Sequence, residues 1–302
     1  MNIGVMGAGA VGSYFGALLA RAGHSVTLVG RQAFVDEVFA RGLRLEMSGA
    51  VRIESVTAST DPAALANSDW IIFAVKSTDT ETAGVALAPY AKPSAIVLSF
   101  QNGVDNAERL EAVLHRAVIP VAVYVAAEMV SPGHVKHNGR GDITIGNFDH
   151  SAALAGMFGD AGIPTTVSDQ VGEALWAKLI INCAYNALSA VSQMPYGLMM
   201  AVPGVSDLMG DVVNECVAVG RASCAAVADP DLNAVLGLAR TMPDQLSSTA
   251  RDIARHKPTE IDHLNGLIVR RGQELGIATP ANRALFTIVK LLEAKQSSDR
   301  SC

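Results

Sequence analysis

The chain has 302 residues, 50% hydrophobic and 17% charged, with a formal net charge of -6. Such a composition builds large buried cores and excludes a disordered chain, and its acidic balance argues against a nucleic-acid surface, where a basic excess is expected. The four cysteines, Cys183, Cys216, Cys224 and Cys302, show neither Cys-x-x-Cys spacing nor an accompanying His cluster, so they read as reduced thiols of a cytoplasmic protein and no metal site is expected.

Strand-like sequence begins at once with Asn2–Met6, so no leader is expected before it. Ala10–Ala22 carries small and apolar residues at helical spacing, and Gly23 stops that helix before a second strand, Ser25–Val29. A short helix near Phe34–Arg41 precedes "LRLEMSGAVRIES", whose alternation about Ser-Gly-Ala reads as a hairpin. Strand Trp70–Val75, helix Glu81–Ala91, strand Ala95–Ser99, helix Val104–Leu114 and strand Val118–Val125 follow. Alternation at this period implies a parallel sheet with helices on both faces. "EMVSPGHVKHNGRGDITIGNF", with its Ser-Pro-Gly turn, is expected to close the sheet with antiparallel strands. Helix Ala152–Gly159 and a short strand at Thr165–Val167 come next.

From Gln170 the strand signals stop, and helices are expected over 170–191, 205–228, 231–239, 243–254, 259–275 and 281–294, ahead of a frayed tail. No run reaches the roughly 18 uninterrupted apolar residues of a membrane span. The shift in pattern places a domain boundary near residue 168. The expected fold is α/β: a Rossmann-type, doubly wound domain over 1–168, then an all-helical domain over 169–302.

"GVMGAGAVGSYFG" sets Gly7-x-Gly9-x-x-Gly12 directly after a strand and at the mouth of a helix. In a dinucleotide loop the first glycine makes the tight turn, the second lets the backbone approach a pyrophosphate, and the third lets helix and strand pack closely. Gly7, Ala8, Gly9, Ala10, Val11 and Gly12 are therefore candidate cofactor contacts, with the helix N-terminus facing the phosphates. The competing reading is a glycine-rich turn of another α/β protein. At the end of the second strand stand Gly30 and Arg31, with no carboxylate before Asp36. An acid there would bind a ribose hydroxyl and repel a 2′-phosphate, whereas Arg offers it a fork of donors, so NADP(H) is favoured over NAD(H). Lys76 and Asn102 also follow strands, where an open parallel sheet lines its ligand crevice. Against this, Lys76 alone reads as a loop lysine and Asn102-Gly103 as a turn pair.

"LWAKLIINCAYNAL" reads as an apolar helix in which Lys178, Asn182 and Asn186 form one stripe, roughly extended by Ser189. A solvent face usually carries several charges. One cation followed by amides points instead to a polar pocket in apolar surroundings. A second constellation is "SSTARDIARHKPTEIDHLNG". There Pro258 suits a first helical turn, and Glu260 either complements that helix dipole or serves a pocket. Arg251, Asp252, Arg255, His256 and Lys257 read as a solvated face.

With "AVKS", "QNGV", "WAKLIINCAYNAL" and "SS" before "PTEIDHLNG" following the glycine loop in this order, the chain resembles the ketopantoate reductases (2-dehydropantoate 2-reductases) over essentially its whole length. The resemblance implies NADPH-dependent reduction of 2-dehydropantoate to pantoate, on the route to pantothenate and coenzyme A. It implies a catalytic role for Lys178, with Glu260 in the pocket. Asn182 and Asn186 would be substrate asparagines, and Ser248 the serine near the substrate carboxylate. Gly7, Gly9, Gly12, Arg31, Lys76 and Asn102 would be cofactor contacts. The chain departs from the pattern at "MPYG", where Tyr196 stands in place of a substrate-binding asparagine. Tyr196 is thus a candidate substrate contact, and the nearest alternative is the same chemistry on a different branched 2-oxo acid. The same layout would also suit a 3-hydroxy acid dehydrogenase. A non-catalytic NADP(H) sensor would keep the glycine loop and Arg31 but need neither Lys178 nor Glu260.

Hydride reduction of a ketone puts negative charge on the carbonyl oxygen, where a positioned donor stabilises the transition state and delivers a proton. Lys178 fits both roles if charged, with Glu260 as candidate counter-charge against the effect of burial. A site in the cleft between the two domains is expected. The apolar helical domain is compatible with a homodimer, though no residue fixes an interface.

Overall fold

The computed structural model describes residues 1–223, 227–228 and 231–299. The chain divides into two compact units, Met1–Val171 and Gly172–Cys302.

In the first unit the elements run β1 (Asn2–Met6), α1 (Ala10–Arg21), β2 (Ser25–Val29), α2 (Gln32–Arg41), β3 (Leu43–Met47), β4 (Ala50–Glu54) and β5 (Thr57–Ser59). There follow β6 (Trp70–Phe73), α3 (Thr80–Leu87), β7 (Ile96–Ser99), α4 (Asn106–Leu114), β8 (Val118–Ser131), β9 (His134–Gly146), α5 (Ser151–Asp160) and β10 (Thr165–Ser168). The strands join in one sheet of order β4-β3-β9-β8-β7-β6-β1-β2-β5, with β10 beside β9. Strand β1 lies between β2 and β6, parallel to both, so the chain order reverses at β1. Register aligns Met6 with Val29 and Phe73, and Phe73 with Ser99, so four strands end level at one edge. Apart from Asn2 at its start, β1 is buried, as a strand covered on both faces requires.

The expected hairpin forms, Leu43–Met47 pairing antiparallel with Ala50–Glu54. The β8–β9 pair is longer than its alternation suggests. Strand β8 runs on to Ser131, and its antiparallel register shifts at Tyr124/Val125, Ala126/Ala127 and Met129/Ser131. Each bulge adds twist and bends the ladder. The bent hairpin brings Arg44–Glu46 of β3 parallel to His134–Lys136 of β9. Helix α1 packs on β1 and β2 and also on β3, β8 and β9, and Gly12–Leu19 are buried without interruption. The helix that opens at the glycine loop is therefore clasped on two sides.

The second unit is helical: α6 (Val171–Ser192, beginning at the boundary), α7 (Tyr196–Met200), α8 (Val205–Ala222), α9 (Leu232–Thr241), α10 (Ser248–Ala254), α11 (Asn265–Leu275) and α12 (Pro280–Asp299). Among the described helices, α6 is long and apolar enough to cross a membrane by length and composition. Here it is a core helix: Trp176 lies so close to Gly220 of α8 that an added Cβ would stand 2.9 Å from the ring.

Several boundaries differ from those expected of the sequence. The helix expected from 243 starts at Ser248, because Ser247 caps it by accepting a hydrogen bond from the Ala250 amide at 2.9 Å. The helix expected over 259–275 is broken into a 3-10 turn, Ile261–His263, and α11. Glu260 precedes that turn, so it does not sit in the first turn of an α-helix and its reading as a dipole complement is corrected. The tail expected to fray is helical as far as Asp299, and residues 300–302 lie outside the described residues. Short helix α7 and strand β5 have no counterpart in the sequence pattern. Cys183 and Cys216 are buried free thiols, and Cys224 and Cys302 lie outside the described residues. The helix expected over 205–228 ends at Ala222, and Val227 and Ala228 are not helical.

Candidate functional site

The level strand ends of the first unit carry the candidate nucleotide residues. Gly7 follows β1 with φ +106°, and a Cβ there would lie 2.6 Å from the Val75 amide nitrogen, so only glycine makes this turn. The Gly7 and Ala8 amides donate to the Val29 carbonyl at 3.1 and 2.9 Å, tying the loop to the end of β2. A Cβ on Gly12 would overlap the Gly7 carbonyl oxygen and stand 2.9 Å from Val5 Cγ1. Gly9 is the contrast. It caps α1 with no side-chain hydrogen bond, it is exposed, and a Cβ would meet nothing within 4 Å. The first turn of α1 holds no acidic residue. The donors of that turn therefore open onto a surface that fits an anion.

Arg31 caps α2 just past β2, exposed, and no acid occupies the first turn of that helix. Asp36 accepts from Gln32 Nε2 at 2.7 Å. The exposed Arg31 guanidinium therefore has no carboxylate of that first turn beside it.

Lys76 and Asn102 are half-buried on loops after β6 and β7. A polar network that the sequence did not announce joins those loops. Ser77 Oγ donates to the Asn102 carbonyl at 2.7 Å, and Asn106 Nδ2 reaches the same carbonyl at 2.6 Å. Gln101 Nε2 donates to Thr80 Oγ1 at 2.8 Å, and Arg109 donates to the Ser77 carbonyl at 2.9 Å and to Asn106 Oδ1 at 3.1 Å. Gly103 takes φ +109°, so Asn102-Gly103 is also the turn its dipeptide suggests. The signal for this network was the density of Ser, Thr and Asn after two strand ends.

In the second unit the polar row on α6 does not face solvent. Lys178 and Asn182 are half-buried, and Asn186 is 4% exposed. Among the described residues, no protein group hydrogen-bonds the side-chain amide of Asn182 or Asn186. Ser189 differs: its hydroxyl donates to the Met194 carbonyl at 3.0 Å and accepts from the Ser247 amide at 3.2 Å, so it fixes the fold. Ser247, at 1% exposure, donates to the Asn186 carbonyl at 3.1 Å while capping α10. Ser248, the first residue of α10, is exposed. Ser247 thus anchors the turn that presents Ser248.

Glu260 is half-buried beside Thr259, which anchors its segment. The Thr259 amide and hydroxyl both donate to Glu293 Oε1, at 2.8 and 2.7 Å. Glu293 Oε2 lies 2.7 Å from Lys290 Nζ, which also holds Asp262 Oδ2 at 2.9 Å. Burial pushes the Glu293 carboxyl up, but the Lys290 and Thr259 hydrogen bonds outweigh it and hold the group below its ordinary 4.5. A depressed carboxyl adds stability above its unfolded value and loses it as pH falls through the folded value. Glu293→Gln is therefore expected to lose about 1–3 kcal/mol at neutral pH, and urea unfolding should show the gap closing below pH ~4.5. A gap unchanged at acid pH would remove the carboxylate from this role.

Arg255, His256 and Lys257 are exposed, as a solvated face requires, whereas Arg251 and Asp252 are half-buried. Tyr196 is buried at 7% exposure, its ring centroid 4.5 Å from that of Tyr185. The Tyr185 hydroxyl donates to the Val235 carbonyl at 2.9 Å and accepts from the Ala239 amide at 3.3 Å. Burial and the Tyr185 neighbour push the Tyr196 phenol up, with the Arg251 charge opposing, so the hydroxyl is neutral at physiological pH.

Residues 3–150 match the family Ketopantoate reductase PanE/ApbA, and residues 170–293 match Ketopantoate reductase PanE/ApbA C terminal. A 2-dehydropantoate 2-reductase of Vibrio cholerae is 32% identical over 303 residues, covering 98% of this chain and 99% of the relative. A crystal structure of a PanE/ApbA family ketopantoate reductase from Ralstonia eutropha JMP134 superposes with a TM-score of 0.95 at 52% identity, over 98% of this chain and 100% of that one. A D-mandelate dehydrogenase in complex with NADH gives a TM-score of 0.86 at 25% identity, covering 99% of each chain.

Proposed function

The chain belongs to the ketopantoate reductase family, and from that premise we propose that it reduces 2-dehydropantoate to pantoate with NADPH, Lys178 donating the proton. The observation that carries the reading is the α6 row: a half-buried lysine followed by a half-buried and a buried amide on an apolar helix, with neither amide bonded to another described residue. Such amides bind a carboxylate or carbonyl without adding charge. The glycine loop would hold the pyrophosphate and Arg31 the 2′-phosphate, with Lys76 and Asn102 as further cofactor contacts. When bound, the nicotinamide supplies the hydride.

Lys178 gives its proton to the carbonyl oxygen as negative charge develops there, and solvent then restores the ammonium. Asn182, Asn186 and Ser248 orient the 2-oxo acid. Glu260 serves as counter-charge to Lys178 or as acceptor for a substrate hydroxyl. This reading carries with it a cytoplasmic enzyme, a small-molecule 2-oxo acid partner and a homodimer, the last open to sedimentation of the purified chain.

The test is NADPH oxidation by the purified chain supplied with 2-dehydropantoate; no oxidation at millimolar substrate would end the assignment. Tyr196 favours one second reading, a different branched 2-oxo acid, which the same assay decides when run on a panel of 2-oxo acids. Arg31→Ala is expected to raise the KM for NADPH about 10- to 100-fold, the equivalent of ~1.5–3 kcal/mol in lost charged hydrogen bonds. It should leave NADH kinetics nearly unchanged. If NADH serves the wild type as well as NADPH, Arg31 does not read the 2′-phosphate.

A further inference from the structure

Asn265, in the "HLNG" stretch that opens α11, is fully buried and touches the helix that carries the polar row. Its Nδ2 donates to the Cys183 carbonyl of α6 at 3.1 Å and to Asn282 Oδ1 at 2.9 Å. Both neighbours are oxygens, so the amide orientation follows from its partners. Asn282, at the start of α12 and also fully buried, donates from Nδ2 to Glu215 Oε2 at 2.8 Å. Glu215 of α8 takes the Ala281 and Asn282 amides at 2.8 and 2.9 Å. One hydrogen-bonded chain thus joins the Glu215 carboxylate, two asparagines and a backbone carbonyl of α6, linking α8, α12, α11 and α6, with Asn265 Nδ2 donating in both directions. Asn265 Oδ1 is buried without a hydrogen-bond partner. An amide that leaves one oxygen unmatched is a poor way to fill a core.

The carbonyl it holds belongs to Cys183, which directly follows Asn182 and stands three residues before Asn186. At about 100 degrees per residue, position 183 lies about 60 degrees round the helix from Asn186. A hand on that carbonyl sets the rotation and height of α6 just where the row must present its amides. We propose that Asn265, oriented by Asn282 and Glu215, is a positioning residue for the Lys178–Asn182–Asn186 row. The proposal rests on the reductase reading for its catalytic consequence, but not for the hold on α6. Angular errors of this kind are costly, since a displacement of about 1 Å at a reacting group costs on the order of 100-fold in rate.

The test compares Asn265→Ala with Val289→Ala, a cavity variant of buried Val289 in α12, both in the full chain. Each is measured at the same interval below its own Tm. Three quantities are read: hydrogen exchange of the peptide spanning 175–192, kcat and KM for the 2-oxo acid, and the Kd for NADPH. Asn265→Ala is expected to speed exchange in that peptide and lower kcat about 10- to 100-fold beyond Val289→Ala, with NADPH affinity retained. Equal exchange in the two variants overturns the hold on α6, whatever the activity. Selective exchange with an undiminished kcat overturns the catalytic consequence. Selective exchange in a chain whose wild type reduces no 2-oxo acid leaves the hold standing and rejects the reductase reading instead.

Discussion

Lys178→Ala is expected to lower kcat by about 10³-fold while the Kd for NADPH stays within about twofold of wild type. The size follows from two losses. A missing donor at a developing oxyanion costs on the order of 10²–10³ in rate, and a missing general acid about 10²–10⁴. One group supplies both here, so the losses overlap rather than multiply. NADPH affinity is spared because its proposed contacts, Gly7–Gly12, Arg31, Lys76 and Asn102, lie in the first unit and Lys178 in the second. Lys178→Arg separates the two roles. It keeps a cation near the carbonyl but cannot release a proton at neutral pH, so it should recover part of the electrostatic share and little of the proton transfer. Stopped-flow single turnovers with pre-bound NADPH read the chemical step directly. Normal turnover in Lys178→Ala would leave the row without a catalyst and revive the sensor reading.

The features legible in the sequence are those that repeat locally. Gly7, Gly9 and Gly12 announce a strand–turn–helix because each meets a steric demand within a few residues of itself. The β–α alternation announces the parallel sheet, and with it the level strand ends that bring Gly7, Arg31, Lys76 and Asn102 to one edge. The α6 row was visible because Lys178, Asn182 and Asn186 share the period of the helix that carries them.

The groups that hold these residues in place were not legible, because their partners are distant in the chain. Asn265 meets Cys183 across 82 positions, and Thr259 meets Glu293 across 34. No periodicity marks such pairs. Local chemistry also misled at two points. Pro258 suggested a helix start, but the paired hydrogen bonds from Thr259 to Glu293 hold that segment and α11 begins only at Asn265. The β8–β9 hairpin outran its pattern because bulges interrupt the alternation that would have announced it.

The glycine loop allows the demands of folding and of binding to be told apart, and the second large effect is expected there. Gly7→Ala would place a Cβ at φ +106° and 2.6 Å from a backbone nitrogen. Left-handed strain costs roughly 1–2 kcal/mol and overpacking against backbone roughly 1–3 more. A total of about 3 kcal/mol lowers Tm by roughly 6–12 °C in a unit of this size. Gly12→Ala should fall in the same class, since its Cβ would overlap the Gly7 carbonyl. Gly9→Ala should behave in the opposite way. Its φ of -78° suits alanine, its Cβ meets nothing, and the stiffer unfolded chain favours folding by about 0.4–1 kcal/mol. What the methyl occupies is the direction from which a pyrophosphate would approach the first turn of α1. Gly9→Ala is therefore expected to keep or slightly raise Tm while weakening NADPH binding at least about tenfold, or 1.4 kcal/mol. Thermal unfolding with and without NADPH reads both quantities in one experiment, because a bound ligand raises Tm in proportion to its affinity. Undiminished NADPH affinity in Gly9→Ala would remove the dinucleotide from the mouth of α1, and an unchanged Tm in Gly7→Ala would mean the loop can move aside.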